Sequence, residues 1–66
     1  MTDTIIYSYT VDWDGFRGED GGKVFTDYTS AKSYYDKLVV AYKSFQKIIE
    51  NRTKNTIDYE VLESEG

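Results

Sequence analysis

The chain has 66 residues and contains no cysteine and no histidine. These absences exclude disulfides and remove the usual ligands of a structural zinc, so neither device can stabilise the fold. Absence of cysteine also fits a cytosolic protein. The N-terminal segment has no apolar h-region, and no run of 18 apolar residues occurs, so we expect neither a signal peptide nor a membrane span. We therefore predict a cytoplasmic protein.

Catalytic and phosphate-binding motifs are also missing. A phosphate loop ending at Lys23 would need a glycine at position 17 and a hydroxyl at position 24, where the chain has Arg17 and Val24. Asp12 and Asp14 could lie about 6–7 Å apart on one strand face, a spacing compatible with glycosidase chemistry. A chain this short has little material for the pocket that would shift a carboxyl pKa. We therefore predict no enzymatic activity.

The acid-rich, glycine-rich segment 12–23 resembles a calcium loop only in composition. Counted from Asp12, its fifth position is Phe16 and its twelfth is Lys23, where an EF-hand needs an oxygen ligand and a glutamate. A looser divalent-ion site is the one metal option left open. We predict no cofactor and no metal.

What the chain does contain is aromatic bulk and segregated charge. Seven Tyr, three Phe and one Trp can compensate for a short chain, because each ring buries roughly 150–250 Å². Residues 1–30 carry a net charge of −4, residues 31–54 carry +4, and residues 55–66 carry −4. The overall charge of −4 argues against generic nucleic-acid binding and favours partners with a basic surface.

Hydrophobic periodicity predicts a single small α+β domain over residues 1–66. Residues 4–13 and 56–62 alternate as strands, residues 14–22 read as a loop, and residues 23–26 resume a short strand. Asp27 is a residue type preferred at helix N-caps, and the 3,4 spacing of apolar residues after it predicts one long helix over 28–51 with a basic outer face. The expected fold is ββαβ: a three-stranded antiparallel sheet, order 2-1-3, with the helix on one face.

That topology would leave the second face of the sheet open and acidic. We expect it to show Ile6, Ser8, Thr10, Asp12, Phe25, Asp58, Glu60 and Leu62, although Phe25 could equally belong to the core. Trp13 either ends the core face of the first strand or serves with Phe16 as an interface anchor, because exposed aromatics beside charge are typical of interfaces.

The layout resembles the small acidic accessory proteins of bacteriophages. The features that carry this resemblance are the aromatic hairpin from Ile5 to Phe25, the helix opening Phe25-Thr26-Asp27-Tyr28-Thr29-Ser30-Ala31, and a short final strand. Some of those proteins inhibit host defence, including anti-CRISPR proteins. The resemblance implies a binder that occupies the nucleic-acid-binding surface of a protein in a host bacterial cell, using a one-sided acidic face rather than whole-surface DNA mimicry.

The leading hypothesis is therefore an acidic interaction module that docks on a basic protein surface. The expected partner-binding residues share extended segments and are Asp12, Asp14, Phe16, Glu19, Asp20, Asp58, Glu60 and Glu63. Two alternatives stay open. The chain could associate with itself, by edge pairing rather than by stacking acidic faces, or it could bind nucleic acid weakly through Lys32, Lys43, Lys47 and Lys54 on the helix.

Overall fold

The computed structural model describes residues 2–65 and shows an α+β fold. Its elements are β1 (Ile5–Asp14), β2 (Gly21–Phe25), α1 (Tyr28–Lys37), β3 (Tyr42–Asn51) and β4 (Thr56–Glu65). The strands form one antiparallel sheet in the order β2-β1-β3-β4, and α1 packs on one face of it. The predicted class and the antiparallel sheet are confirmed. The predicted number of strands is wrong, because the sheet has four.

The helix begins where the sequence predicts and ends much earlier. Asp27 is the N-cap, and its Oδ2 accepts a hydrogen bond of 2.8 Å from the backbone N–H of Ser30. The helix ends at Lys37, and Leu38 already has extended backbone angles of φ −76° and ψ 124°. The β-branched pair Val39 and Val40 follows, and such residues disfavour continued helix. The predicted helix over 28–51 is therefore wrong.

Residues 42–51, which were predicted as the second half of the helix, form the inner strand β3. β3 pairs with β1 along its whole length, from Ile5 opposite Asn51 to Asp14 opposite Tyr42. The last strand, β4, consequently pairs with β3 at the edge and not with β1. The hairpin turn between them is closed by Asn55, which has a φ of 57°. Asn55 thus adopts the left-handed conformation that asparagine tolerates in turns.

The core lies under the helix, over one half of one sheet face. Val11, Ala31, Tyr35 and Phe45 are buried, and a ring of partly buried residues packs on them: Tyr9, Trp13, Phe25, Tyr34, Leu38 and Leu62. Phe25 and Leu62 therefore face the helix: Leu62 was predicted on the open face, which is wrong, and of the two positions left open for Phe25 the core position is the one found. The helix is too short to reach the far half of the ten-residue strands. No helix within residues 2–65 is long and apolar enough to span a membrane.

A β-bulge in the β3–β4 pair changes the direction of the β4 side chains. Phe45 pairs with Glu63, but the next residue, Gln46, pairs with Val61, so Leu62 is the extra residue. Since side chains alternate along a strand, one inserted residue moves the following set to the other face. Leu62 and Glu63 lie on the helix side, and Val61 lies on the open side.

Candidate protein-interaction surfaces

The eight predicted partner-binding residues fall into two groups that do not share a surface. Asp12, Asp14, Phe16, Glu19 and Asp20 lie at the end of β1 and in the β1–β2 loop, whereas Asp58, Glu60 and Glu63 lie on β4. Directly paired residues point to the same face of a sheet. Glu60 pairs with Lys47, which pairs with Tyr9 on the helix side. Asp12 is one residue from buried Val11 and so points to the open side.

The predicted single acidic face is therefore wrong. Asp58, Glu60 and Glu63 point to the side that carries the helix, and only Asp12 and Asp14 point to the open side. The cause is the bulge at Leu62, together with the replacement of the predicted helical segment by β3. A flat partner surface cannot contact all eight residues at once.

The β1–β2 loop is held in one conformation by its own backbone. The N–H of Gly15 donates to the carbonyl of Glu19 at 3.0 Å, and the N–H of Gly18 donates to the carbonyl of Gly15 at 3.3 Å. Gly18 has a φ of 80°, which favours glycine. Glu19 Oε2 also accepts a bond of 3.1 Å from the N–H of Arg17. Glu19 thus stabilises the loop through the two hydrogen bonds that it accepts, and it also contributes a negative charge.

Beside this loop lies an open groove of about 410 Å³. It separates the loop from the α1–β3 connection and is lined by Trp13, Gly15, Phe16, Arg17, Glu19, Val39 and Val40. Phe16 is 74% exposed and Val39 is 85% exposed. A backbone bond of 3.0 Å from the N–H of Ala41 to the carbonyl of Asp14 ties the connection to the strand end. We call residues 12–20 and 38–41 the loop end.

Trp13 lies between the core and the groove. Its indole stacks over the backbone of Gly21, where an added Cβ would come within 2.5 Å of the ring. Its ring centroid is 5.7 Å from that of Tyr34 on the helix. Trp13 therefore ends the core face of β1, and only its edge reaches the groove. Phe16 makes the larger exposed contribution to the loop end.

The ion pairs in the part of the chain that the structure describes lie away from the loop end, and none of them includes its acidic side chains. Lys32 bridges Asp36 and Glu63, and Lys43 lies 3.4 Å from Glu65. The hydrogen bonds that Lys32 donates to Glu63 and then to Asp36 raise the pKa of Lys32 above its ordinary value. Within residues 2–65, no cationic side chain lies within 4 Å of Asp12, Asp14, Glu19 or Asp20.

The four lysines that were expected to share a helix face are dispersed. Lys32 is on α1, Lys43 and Lys47 are on β3, and Lys54 is in the β3–β4 turn. Lys43 is buried, with its Nζ donating to the carbonyls of Tyr35 and Leu38 at 2.6 and 3.2 Å. Lys47 lies over the ring of Tyr7 at 4.5 Å. The predicted basic helix face is therefore wrong, and the nucleic-acid alternative loses its geometric basis.

Sequence reasoning missed an apolar patch on the uncovered face of the sheet. Ile57, Tyr59 and Val61 of β4 point there, beside Ile48 of β3 and Ile6 of β1. The alternation of residues 56–62 was visible in the sequence, but these three residues were expected to face inward. Their true direction depends on the bulge, which the alternation does not reveal.

Comparison of the chain with protein-family models, with curated proteins and with solved structures gives no match. Within residues 2–65, no cluster of three or more His, Cys, Asp or Glu side chains is arranged to hold a metal ion.

Proposed function

We propose that the chain is a small protein-interaction module that docks its loop end on a basic protein surface. The observation that carries this proposal is the combination, at one end of the molecule, of exposed Phe16 and Val39 with the unpaired carboxylates of Asp12, Asp14 and Asp20. Apolar anchors contribute most of the affinity at interfaces. Complementary charge contributes specificity and a fast association that depends on salt.

A nucleic-acid-binding surface is the kind of basic partner surface that we propose. Such surfaces are rich in Lys and Arg, and their electrostatic attraction for phosphates also attracts carboxylates. The phage-type inhibitor suggested by size and charge remains part of this proposal. Only the acidic residues of the loop end support this proposal. Asp58, Glu60 and Glu63 of β4 point to the helix side and are not part of the proposed surface.

The test compares two charge reversals that are matched in size. Asp14→Lys with Asp20→Lys alters the loop end, and Asp58→Lys with Glu60→Lys alters β4. Each single replacement adds two positive charges, so both double variants change the net charge from −4 to zero. All four side chains are exposed, so circular dichroism should show the native fold in both variants.

The measurement is capture of proteins from native cells, followed by mass spectrometry and by titration of the purified captured protein. We expect capture of a nucleic-acid-binding protein that is lost in the loop-end variant, kept in the β4 variant, and weakened at about 0.5 M salt. Added duplex DNA or RNA should compete with this capture. Equal loss in the two variants, or retention in the loop-end variant, would contradict the proposal.

A further inference from the structure

On the edge strand β4, apolar side chains point away from the helix side of the sheet, and polar side chains point towards it. Ile57, Tyr59 and Val61 point to the uncovered side and are 71%, 69% and 52% exposed. Asp58 and Glu60 point to the helix side. A sheet with one solvated face ordinarily shows the opposite pattern, with apolar residues towards the covering layer and polar residues outward. The apolar side of β4 therefore lacks its covering layer.

This reversal creates one continuous patch across three strands. Tyr59 pairs directly with Ile48, and Ile57 pairs with Glu50, which is opposite Ile6. Glu50 therefore lies between Ile6 and Ile57 on the same face, and its carboxylate is 3.7 Å from the guanidinium of Arg52. We call Ile6, Ile48, Ile57, Tyr59 and Val61 the open-face patch. Its members carry no charge.

The patch has the size of half a modest protein interface. A fully exposed side chain of this class offers roughly 200 Å², so the exposures of Ile6, Ile57, Tyr59 and Val61 correspond to about 450 Å². Pairing two such patches buries about 900 Å² from these side chains alone. Half-buried Ser8 and Gln46 lie on the same face and add to this area, so the interface has the modest size expected for a weak dimer.

The whole chain is elongated and exposes more surface than a compact monomer of its mass. Its accessible surface is 4825 Å², against about 4,300 Å² for a compact monomer of 7.7 kDa. Its radius of gyration is 13.5 Å, against about 11 Å for a compact domain of this length. The open-face patch is one part of this excess surface, and Ile5 and Tyr7 on the helix side are another.

We propose that a second copy of this chain covers the open-face patch, with the two sheets stacked face to face about a two-fold axis. Two copies of an acidic chain can meet here because the one carboxylate within the patch, that of Glu50, is paired with Arg52, while Asp58 and Glu60 point away from it. A basic partner gains little from a patch whose one carboxylate is already paired, whereas a second copy supplies an identical apolar patch. Stacking about 10 Å apart places Tyr59 of each copy within the shared layer.

The experiment is sedimentation equilibrium of the full chain from about 1 to about 500 µM, combined with single lysine replacements at positions 57 to 61. The unchanged chain should sediment at twice 7.7 kDa at the upper concentrations. Ile57→Lys, Tyr59→Lys and Val61→Lys should each raise the dissociation constant by about a hundredfold, because each change enters a two-fold interface twice. Asp58→Lys and Glu60→Lys should leave the dimer intact.

The alternation separates face stacking from edge pairing. Pairing of two β4 edges uses backbone groups, so it would respond similarly to replacements on both sides of the strand. Uniform weakening at all five positions, or a mass of 7.7 kDa up to the highest concentration, would overturn the proposal. Circular dichroism checks each fold. If a lysine variant unfolds, Tyr59→Thr with Val61→Thr keeps strand propensity and should still weaken the dimer about tenfold or more.

Discussion

Replacement of Lys43 by methionine should destabilise the fold far more than replacement of an ordinary surface lysine. The Lys43 side chain is 11% exposed, and its Nζ donates to the carbonyls of Tyr35 and Leu38 at the end of α1. It also lies 4.3 Å from the ring centroid of Tyr35. The lysine thus satisfies carbonyls that a helix end leaves without partners, and its charge opposes the negative end of the helix dipole.

The expected loss follows from the hydrogen bonds that disappear. Lys43→Met keeps the length of the apolar stem and removes both charge-assisted bonds, each of which is worth about 1.5–3 kcal/mol. The carbonyl of Tyr35 keeps a bond of 3.3 Å from the N–H of Leu38, so its loss is partial. Relief of the lysine's own desolvation offsets a further part. We expect a net loss of about 2 kcal/mol, against a total stability of about 3–10 kcal/mol for 66 residues.

Thermal unfolding followed by circular dichroism measures this loss, which corresponds to a fall in Tm of about 8–16 °C. The matched control is Lys37→Met, an exposed lysine in the last turn of the same helix. That change should alter stability by no more than about 0.5 kcal/mol. If the two variants unfold at the same temperature, the assignment of Lys43 as the residue that completes the helix end is refuted.

Two further predictions concern the buried layer. The hydroxyl of Tyr35 is buried and, within residues 2–65, has no hydrogen-bond partner, so Tyr35→Phe should raise stability by about 1 kcal/mol in urea titrations at neutral pH. Burial, and then the charges of nearby carboxylates, raises the pKa of Tyr35 above its ordinary value. The unfolded chain therefore loses this proton first above about pH 10, and stability falls as the pH rises through the folded pKa. The Phe variant should show a shallower fall, and an unchanged slope would contradict this reasoning. Gly21→Ala should cost about 1–3 kcal/mol and change the fluorescence of Trp13, because the new Cβ meets the indole at 2.5 Å. Gly22→Ala meets only the mobile carboxylate of Asp12, so a loss as large as that of Gly21→Ala would show that the Trp13 contact is not the cause.

The first strand and the helix start could be predicted from the sequence because their signals are local. The alternation of residues 4–13, which only Ile6 interrupts, identified β1 within one residue at each end. Asp27 was recognised as an N-cap because its carboxylate can accept a first-turn N–H, and it does so. Neither feature depends on what packs against it.

The end of the helix was missed because the apolar spacing is ambiguous. Phe45 and Ile49 are four residues apart, and an interval of four places two side chains on one face of a strand as well as of a helix. No glycine or proline marks the transition after Lys37. The informative residues are the β-branched pair Val39 and Val40, which favour extended backbone.

The direction of β4 could not be read from its own residues. Alternation correctly separates Ile57, Tyr59 and Val61 from Asp58 and Glu60, but it does not say which set faces the helix. The bulge at Leu62 decides this, and it forms because Leu62 packs on the core while Glu63 reaches Lys32. These contacts join residues about thirty positions apart in the chain, which is beyond any local pattern.

The loop that carries Phe16 and Asp20 lies beyond the end of β1, outside the open-face patch. Asp14 pairs with Tyr42, and the nearest row of the patch pairs Val61 with Gln46, so four residues of β3, or about 13 Å, separate these two rows. A face-to-face dimer would therefore present two loop ends, and a partner with two basic sites would bind it with avidity. Tyr59→Lys should then weaken binding to such a bivalent partner and leave binding to a single-site partner unchanged, whereas Asp14→Lys should weaken both. Equal affinity of the Tyr59→Lys variant and the unchanged chain for a bivalent partner would show that the two surfaces act independently.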